Sequence, residues 1–526
     1  MTVDNKLFEE VKKHLIKTMC KGAMPQESSA NIYFENFTRD NLMFIQLGKM
    51  ILAKGIQNKI NGHVISLSKR RDRQYDKFCK DIHFSSVIFS EECQLYEMAL
   101  AHIYTYLICK YCNSKEKILK LKFKGIYIGD LIYNSIIRFS KMVYSIDRID
   151  TAEGRAVVKD AILYTMFSNR IFKKQKPDFY ILDEIGYVDA VMPRMARKYG
   201  AKLIQYFATL NCCFIESDQR GRGPFYHSYR HKNIDQLLAT DLPCNWLEEV
   251  ETHLDTLFRG EGYINKTAKT VYSGKRVKSR EELKKQLGIE NAKKNVIILS
   301  HCFSDCPVSS NSSIYADYYE WLEETLKIVS HLNNANWIVR PHPMRHSYGE
   351  ENEIEKLYNK YKSNNLYFMS EEYSANTIPM LADAIITVTG TAGIEYSCLG
   401  IPCITTGTPF YSHYGFTLNV KTVEQYKKVL RRAHNIKKLS ELQILEAKKI
   451  MFAFARIVRM CDDSFMVLAN KESIRFETES SRLRSNNDYL RDVYEWLQDN
   501  VITDSYLYQF GYTLGENERS INRACK

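Results

Sequence analysis

Proline and glycine are scarce in this chain of 526 residues, at 11 and 23. That scarcity leaves no room for collagen-like repeats or long low-complexity linkers. Long apolar runs are missing too. The longest, Met98 to Cys109, carries His102 and Thr105 and falls well short of the roughly 20 residues a membrane span needs. The start, Met1 to Thr18, is charged throughout (Asp4, Glu9, Glu10, Lys12, Lys13), unlike a secretory signal. An integral membrane protein is not expected. Asp-x-Asp occurs nowhere, so that metal-binding element is absent and no metal site is expected.

What the chain does have is apolar content of 45% and a moderate surplus of charge, 74 Lys and Arg against 62 Asp and Glu, or +12. That composition fits a folded protein of two or three domains. The 14 cysteines are scattered, and with no export signal they read as reduced thiols in a cytoplasmic protein. Cys109 and Cys112 form the lone Cys-x-x-Cys. It lies in a helix-like apolar run with no second pair nearby, so buried thiols are expected there and no zinc site.

Organisation is clearest after Ser279. Ser279-Arg-Glu-Glu282 is a capping box for a short helix stopping at Gly288. Strand-like runs follow at Asn295–Leu299, Trp337–Val339, Leu366–Met369, Ala384–Val388 and Pro402–Thr405. Amphipathic stretches lie between them, and this alternation predicts βαβ units on a parallel sheet. Upstream the pattern is again α/β. Helix-like stretches at Asn41–Ile56, Thr151–Lys174 and Val188–Tyr199 alternate with strand-like His63–Leu67, Val87–Phe89, Leu121–Ile128, Phe179–Leu182 and Leu203–Phe207. The expected fold class is α/β, with two Rossmann-like domains. The expected divisions are an N-terminal Rossmann-like domain over 1–258, a basic linker over 259–294, a C-terminal Rossmann-like domain over 295–420, and a helical tail over 421–526. The linker holds eleven Lys or Arg against four acids, so much of the surplus charge is local. It is not interleaved with aromatics along a face, and no nucleic-acid partner is expected.

Ligands of open α/β sheets bind beyond the carboxyl ends of the strands. The residues there are His301, then Arg340, His342 and Pro343, then Thr389-Gly390-Thr391-Ala392-Gly393 with Glu395 one turn on. Pro341 and Pro343 restrict the backbone around His342. The small, hydroxyl-rich turn at 389–393 suits close approach of an anion, although a helix cap packed tightly on its strand would look the same. It is no Walker loop, because no Gly-Lys-Ser/Thr follows. For a general base, Asp130 comes first, followed by Asp183 and Glu184 at the end of the 179–182 strand; the alternatives are helix capping and a solvated strand end. Arg220, Arg222 and Arg230 make a basic loop that could receive an acidic acceptor or could simply be exposed.

Arg340-Pro-His-Pro343, then Thr389-Gly-Thr-Ala-Gly-Ile-Glu-Tyr396, Leu399-Gly-Ile-Pro-Cys-Ile404 and Gly407-Thr-Pro-Phe-Tyr411 resemble the capsule and surface polysaccharide biosynthesis proteins. Ile297 to Asp305 looks like the opening strand and loop of their nucleotide domain. Gly125 to Tyr133, followed by Arg138, looks like an N-domain segment, interrupted here by Asn134 and Ile137. The resemblance implies a GT-B glycosyltransferase related to the bacterial Kdo and sialic acid transferases, with its two Rossmann-like domains facing across a cleft, the acceptor on the domain at 1–258 and the nucleotide-sugar on the domain at 295–420. It implies His342 on the phosphate of a CMP-sugar, the 389–393 turn on the rest of the nucleotide phosphate, and Glu395 directed at the donor ribose.

The expected activity is therefore metal-independent transfer of a sugar from a nucleotide-sugar to a glycan or lipid-linked acceptor during surface polysaccharide synthesis. The nucleotide-sugar is a co-substrate and no separate cofactor is expected. The expected place is the cytoplasm, with peripheral contact at the inner membrane face. Rival readings are a CDP-glycerol-type glycerophosphotransferase resembling teichoic acid polymerases, a sugar-nucleotide epimerase, and a catalytically silent nucleotide-binding or export-coupling protein.

Overall fold

The computed structural model describes residues 30–36, 49–50, 53–54, 56–57, 62–68, 73–89, 93–182, 185–205, 213–215, 234–235, 238–239, 241–260, 271–272, 275–289, 292–308 and 313–458. The expected helical tail lies outside these residues beyond 458, as does most of the helix expected at Asn41–Ile56. Contacts divide the chain into two compact units. One comprises 1–132, 148–224 and 457–526, and the other 133–147 and 225–456.

The first unit is built on a six-stranded sheet. Its strands are β1 (Asn31–Asn36), β2 (His63–Ser68), β3 (Ser86–Phe89), β6 (Phe179–Leu182), β7 (Lys202–Gln205) and β8 (Cys213–Ile215), in the order β3-β2-β1-β6-β7-β8. All pairs are parallel except β7 with β8. The centre is apolar and closed: Ile32, Phe34, Val64, Leu67 and Ile181 are buried, as befits strands covered on both faces. Helix Ala152–Lys174 starts on Thr151, whose hydroxyl accepts the Gly154 N–H at 2.9 Å.

The strand expected at Leu121–Ile128 breaks into β4 (Lys122–Phe123) and β5 (Ile126–Tyr127), an antiparallel hairpin apart from the main sheet. Lys124 and Gly125 both have positive φ, 44° and 80°, the signature of a tight two-residue turn that reverses the chain.

The second unit carries β9 (Asn295–Leu299), β10 (Asn336–Arg340), β11 (Leu366–Phe368), β12 (Ala384–Thr387), β13 (Cys403–Thr405) and β14 (Thr417–Asn419). Their order is β11-β10-β9-β12-β13-β14, with every pair parallel. Numbered within the unit this is 3-2-1-4-5-6, the order of the Rossmann fold. Side-chain alternation feeds two cores. Val296 and Ile298 join Trp321, Leu326 and Trp337 on one face, while Ile297 joins Ile338, Ile385, Leu283 and Tyr396 on the other.

The basic linker expected at 259–294 is packed into the second unit over its described part. Tyr272, Leu283 and Ile289 are buried in the second core. Helix Arg280–Leu287 has the expected capping box and ends at Gly288 in the left-handed region. Charge pattern concealed this because one leucine per turn is enough to seat a short, otherwise polar helix. The compact second unit starts at 225 and includes 133–147, not at 295 as the charge boundary suggested. Tyr133 donates to Asp317 Oδ2 at 2.6 Å and Ser145 to the same oxygen at 2.9 Å, which fixes that detached stretch within the unit. Among the described residues, no helix is long and apolar enough to cross a membrane.

Candidate functional site

Three strand ends of the second unit meet in one cavity of about 140 Å³. After β9 come Ser300 and His301, after β10 Pro341, His342 and Pro343, and after β12 Gly390, Thr391 and Ala392. Tyr272, Glu395 and Tyr396 complete the wall, and Arg340 lies among the lining residues.

Backbone geometry assigns both imidazole tautomers. An amide N–H can only donate, and Met344 N lies 3.2 Å from His342 Nδ1. That nitrogen is therefore the acceptor, and the Cys302 Sγ also approaches it at 3.1 Å. His342 is anchored from behind by its own N–H, which donates to Ser300 Oγ at 2.8 Å. Burial pushes its pKa down to about 4, so the ring is neutral and carries its proton on Nε2.

His301 is the mirror case. The Val388 N–H donates to its Nε2 at 3.2 Å. The Thr387 hydroxyl, which accepts the Gly390 N–H at 3.3 Å, lies 3.0 Å from the same nitrogen. The ring stacks on Tyr318 at 4.3 Å. Burial, reinforced by His342, lowers its pKa to about 3. His301 is thus neutral with its proton on Nδ1. Two imidazole N–H groups without an acceptor among the described residues belong to this cavity. The backbone N–H groups of Thr391 and Ala392 likewise have no acceptor among the described residues. Such a set of donors suits an anion.

Glu395 is buried, and burial raises its pKa against hydrogen bonds from Thr391 and Tyr272. The Tyr272 hydroxyl is 3.3 Å from Glu395 Oε2. Arg340 is held differently from expectation. Its two terminal nitrogens donate to backbone carbonyls, Ser370 at 3.3 Å and Tyr373 at 2.6 Å. Those two bonds hold the loop after β11, and the buried guanidinium lends the cavity positive charge.

The 389–393 turn divides its residues between two jobs. Gly390, Thr391 and Ala392 line the cavity, whereas Thr389 is buried. Gly393 serves packing: a Cβ there would lie 2.0 Å from the Tyr411 hydroxyl. Tyr411 in turn donates to the Gly390 carbonyl.

Asp130 does not follow a strand of the main sheet. It sits in the first turn of helix Gly129–Phe139, after the separate hairpin. Both its oxygens accept from Arg194 at 2.7 Å, and Arg194 also donates to the Tyr127 carbonyl at 2.8 Å. A forked ion pair with a buried guanidinium pins the helix to its neighbour Val191–Lys198. Asp183, Glu184, Arg220, Arg222 and Arg230 lie outside the described residues.

Sequence reading missed Ser300, Thr387, Cys302, Tyr272 and Glu350. Ser300 and Thr387 stand at strand ends, where the sheet rule could have found them. Glu350 is fully buried and accepts from the Phe303 and Ser304 N–H groups at 2.8 and 2.7 Å, which holds the loop after β9. Its place two residues after Tyr348, away from any strand end, offers no signal.

Residues 249–454 match the family model of the capsule polysaccharide biosynthesis proteins. The matched segment makes up about two fifths of the chain. It contains every residue of the cavity just described. Together, the two Rossmann-like units give the chain the make-up of the GT-B fold. Among curated proteins, none matches the chain. Solved structures similar to it include KpsC, a β-Kdo 2,4-transferase of Thermosulfurimonas dismutans, at 15% identity and TM-score 0.31, over 52% of this chain and 79% of that one. Another is a glycosyltransferase of Rickettsia africae, at 12% identity and TM-score 0.25, over 90% and 100%. A UDP-GlcNAc 2-epimerase of Methanocaldococcus jannaschii, solved with UDP-GlcNAc and UDP, is similar at 13% identity and TM-score 0.29, over 81% and 99%.

Proposed function

We propose that this chain is a glycosyltransferase of capsule polysaccharide biosynthesis, moving a sugar from a nucleotide-linked donor to a glycan or lipid-linked acceptor. The observation that carries the reading is the pair of neutral imidazoles, His301 and His342, whose remaining N–H groups meet no acceptor among the described residues and lie in one cavity of the matched segment.

When a sugar leaves its nucleotide, negative charge grows on the departing phosphate. Donors already aimed at that charge lower the barrier without reorganising. His342 Nε2–H, His301 Nδ1–H and the amides of Thr391 and Ala392 would supply them, with Arg340 adding charge behind. Glu395, held by Thr391 and Tyr272, would accept from a ribose hydroxyl. Leaving-group stabilisation of this kind needs no metal. The likeness of the His342-Pro343 element to that of the Kdo and sialic acid transferases favours a CMP-linked donor.

Thermal shift against CMP, CDP, UDP and GDP, with and without magnesium, tests the reading. A single-site ligand at 100 times its dissociation constant should add about 2.7 kcal/mol. Stabilisation by a cytidine nucleotide without metal is expected, along with slow hydrolysis of a CMP-sugar when acceptor is omitted. Failure of every nucleotide to stabilise the protein would overturn the proposal. Interconversion of a UDP-sugar with its epimer would replace it.

A further inference from the structure

Helix Leu95–Tyr111 has its polarity inverted. The stripe it buries contains Glu97, Ala101, Thr105 and Ile108, spaced for one face of a helix. Glu97 on that stripe pairs with Arg170 of helix Ala152–Lys174 at 2.9 Å. The opposite, outer surface should be polar in a solvated helix. Instead Leu95, Tyr96, Ile103, Tyr106, Leu107 and Tyr111 are each more than half exposed.

The patch continues beyond the helix, because Phe123 of the β4–β5 hairpin packs edge-on against Tyr104 at 5.1 Å. Around it the chain is strongly basic: residues 100–127 hold six lysines and one acid, Glu116. Lys110 stands 4.5 Å over the Tyr106 ring, Lys117 5.1 Å over Tyr111, and Lys122 4.0 Å over Tyr127. Beside the helix lies a second cavity, of about 310 Å³. Its wall includes His102, Tyr106, Lys110, Arg155 and Lys159, and its one acid, Asp150, pairs with Arg155 at 2.6 Å.

We propose that this face of the first unit docks on an anionic lipid bilayer. Tyrosines and aliphatic side chains sink to the headgroup level, the lysine rim meets lipid phosphates, and the cavity at Lys110 and Lys159 takes one headgroup. Tyrosine favours the membrane interface because its ring is apolar and its hydroxyl stays wet, and each surface lysine adds attraction to an anionic leaflet. A second copy of this chain is disfavoured as the occupant, since a two-fold interface would set the lysine rim against itself. The inference stands apart from the donor site, and its test does not read transfer.

The full chain is sedimented with vesicles of phosphatidylcholine alone and with vesicles containing phosphatidylglycerol in equal part. Binding at least about tenfold tighter to the anionic vesicles is expected, weakening as salt rises. Ile103→Glu with Leu107→Glu should reduce binding by about tenfold or more with the melting temperature unchanged. Should that variant not fold, Lys117→Glu with Lys122→Glu, both on exposed positions, should reduce it similarly. No binding to anionic vesicles, equal binding to neutral ones, or binding that both variants leave unchanged would overturn the proposal. So would a dimer in sedimentation equilibrium that Ile103→Glu dissolves.

Discussion

The backbone N–H of Met344 points at His342 Nδ1 from 3.2 Å, and that contact decides which nitrogen of the imidazole is left for a ligand. With Nδ1 occupied and the ring kept neutral by burial, Nε2–H is the donor offered to the cavity.

Replacing His342 therefore removes one donor to the nucleotide phosphate and leaves the strand that carries it intact. His342→Ala should weaken binding of the preferred nucleotide by about ten- to a hundredfold, the range of one hydrogen bond to a charged group. His342→Gln, with an amide N–H of similar reach, should recover part of it. Isothermal titration of both variants measures this. Unchanged affinity in His342→Ala would remove the histidine from the donor site.

The same two imidazoles make stability depend on pH. Unfolded, each protonates near pH 6.5. Folded, His342 stays neutral to about pH 4 and His301 to about pH 3. Across that window the unfolded chain binds more protons, so stability is fully present above about pH 6.5 and falls as the pH drops toward 4. The loss should be on the order of 2 kcal/mol per imidazole by pH 5. In denaturant melts at pH 7 and pH 5, wild type should lose more stability than His342→Asn, which has no proton to take up. Equal losses would mean that the folded ring titrates normally.

Asp130 is predicted to act through structure. Arg194 is only 5% exposed, and removing its partner leaves a buried cation alone. Asp130→Ala should cost about 3 kcal/mol of stability. Adding Arg194→Met should restore part of it, because the stranded charge is gone. Donor hydrolysis per folded molecule should persist in Asp130→Asn. A variant that melts like wild type but does not turn over would instead make Asp130 the base.

Gly393→Ala should disturb the turn from behind. The new Cβ would fall 2.0 Å from the Tyr411 hydroxyl, which holds the Gly390 carbonyl. Overpacking of this kind costs about 1–3 kcal/mol, and nucleotide affinity should fall with it because Gly390 lines the cavity. Tyr411→Ala in the same chain should relieve the clash. If Gly393→Ala melted and bound like wild type, the turn would be looser than its packing implies.

Much of the second unit is legible in the sequence. The runs at Asn295–Leu299 and Ala384–Val388 are continuous and apolar because both faces of a parallel sheet are covered. Thr417–Asn419, the edge strand β14, escaped notice because it is short and its side chains are partly exposed, so no run marks it. The hairpin at 122–127 was read as one strand because apolar content does not reveal two consecutive positive φ angles. The basic stretch at 259–294 looked like linker because charge counts do not register Tyr272 and Leu283 in the core.

The sequence by itself determined the α/β alternation, the strand ends that bear His301, His342 and Gly390–Ala392, and the resemblance of residues 249–454 to the capsule polysaccharide biosynthesis proteins. These follow from periodicity and from motifs that stay together along the chain. Only the tertiary structure decided which imidazole nitrogen lacks a partner among the described residues, that Arg340 donates to two backbone carbonyls, and that Asp130 is locked to Arg194. The partners in those contacts lie up to 87 residues apart, and a hydrogen bond's direction is set by where the fold brings its donor, which no local pattern records.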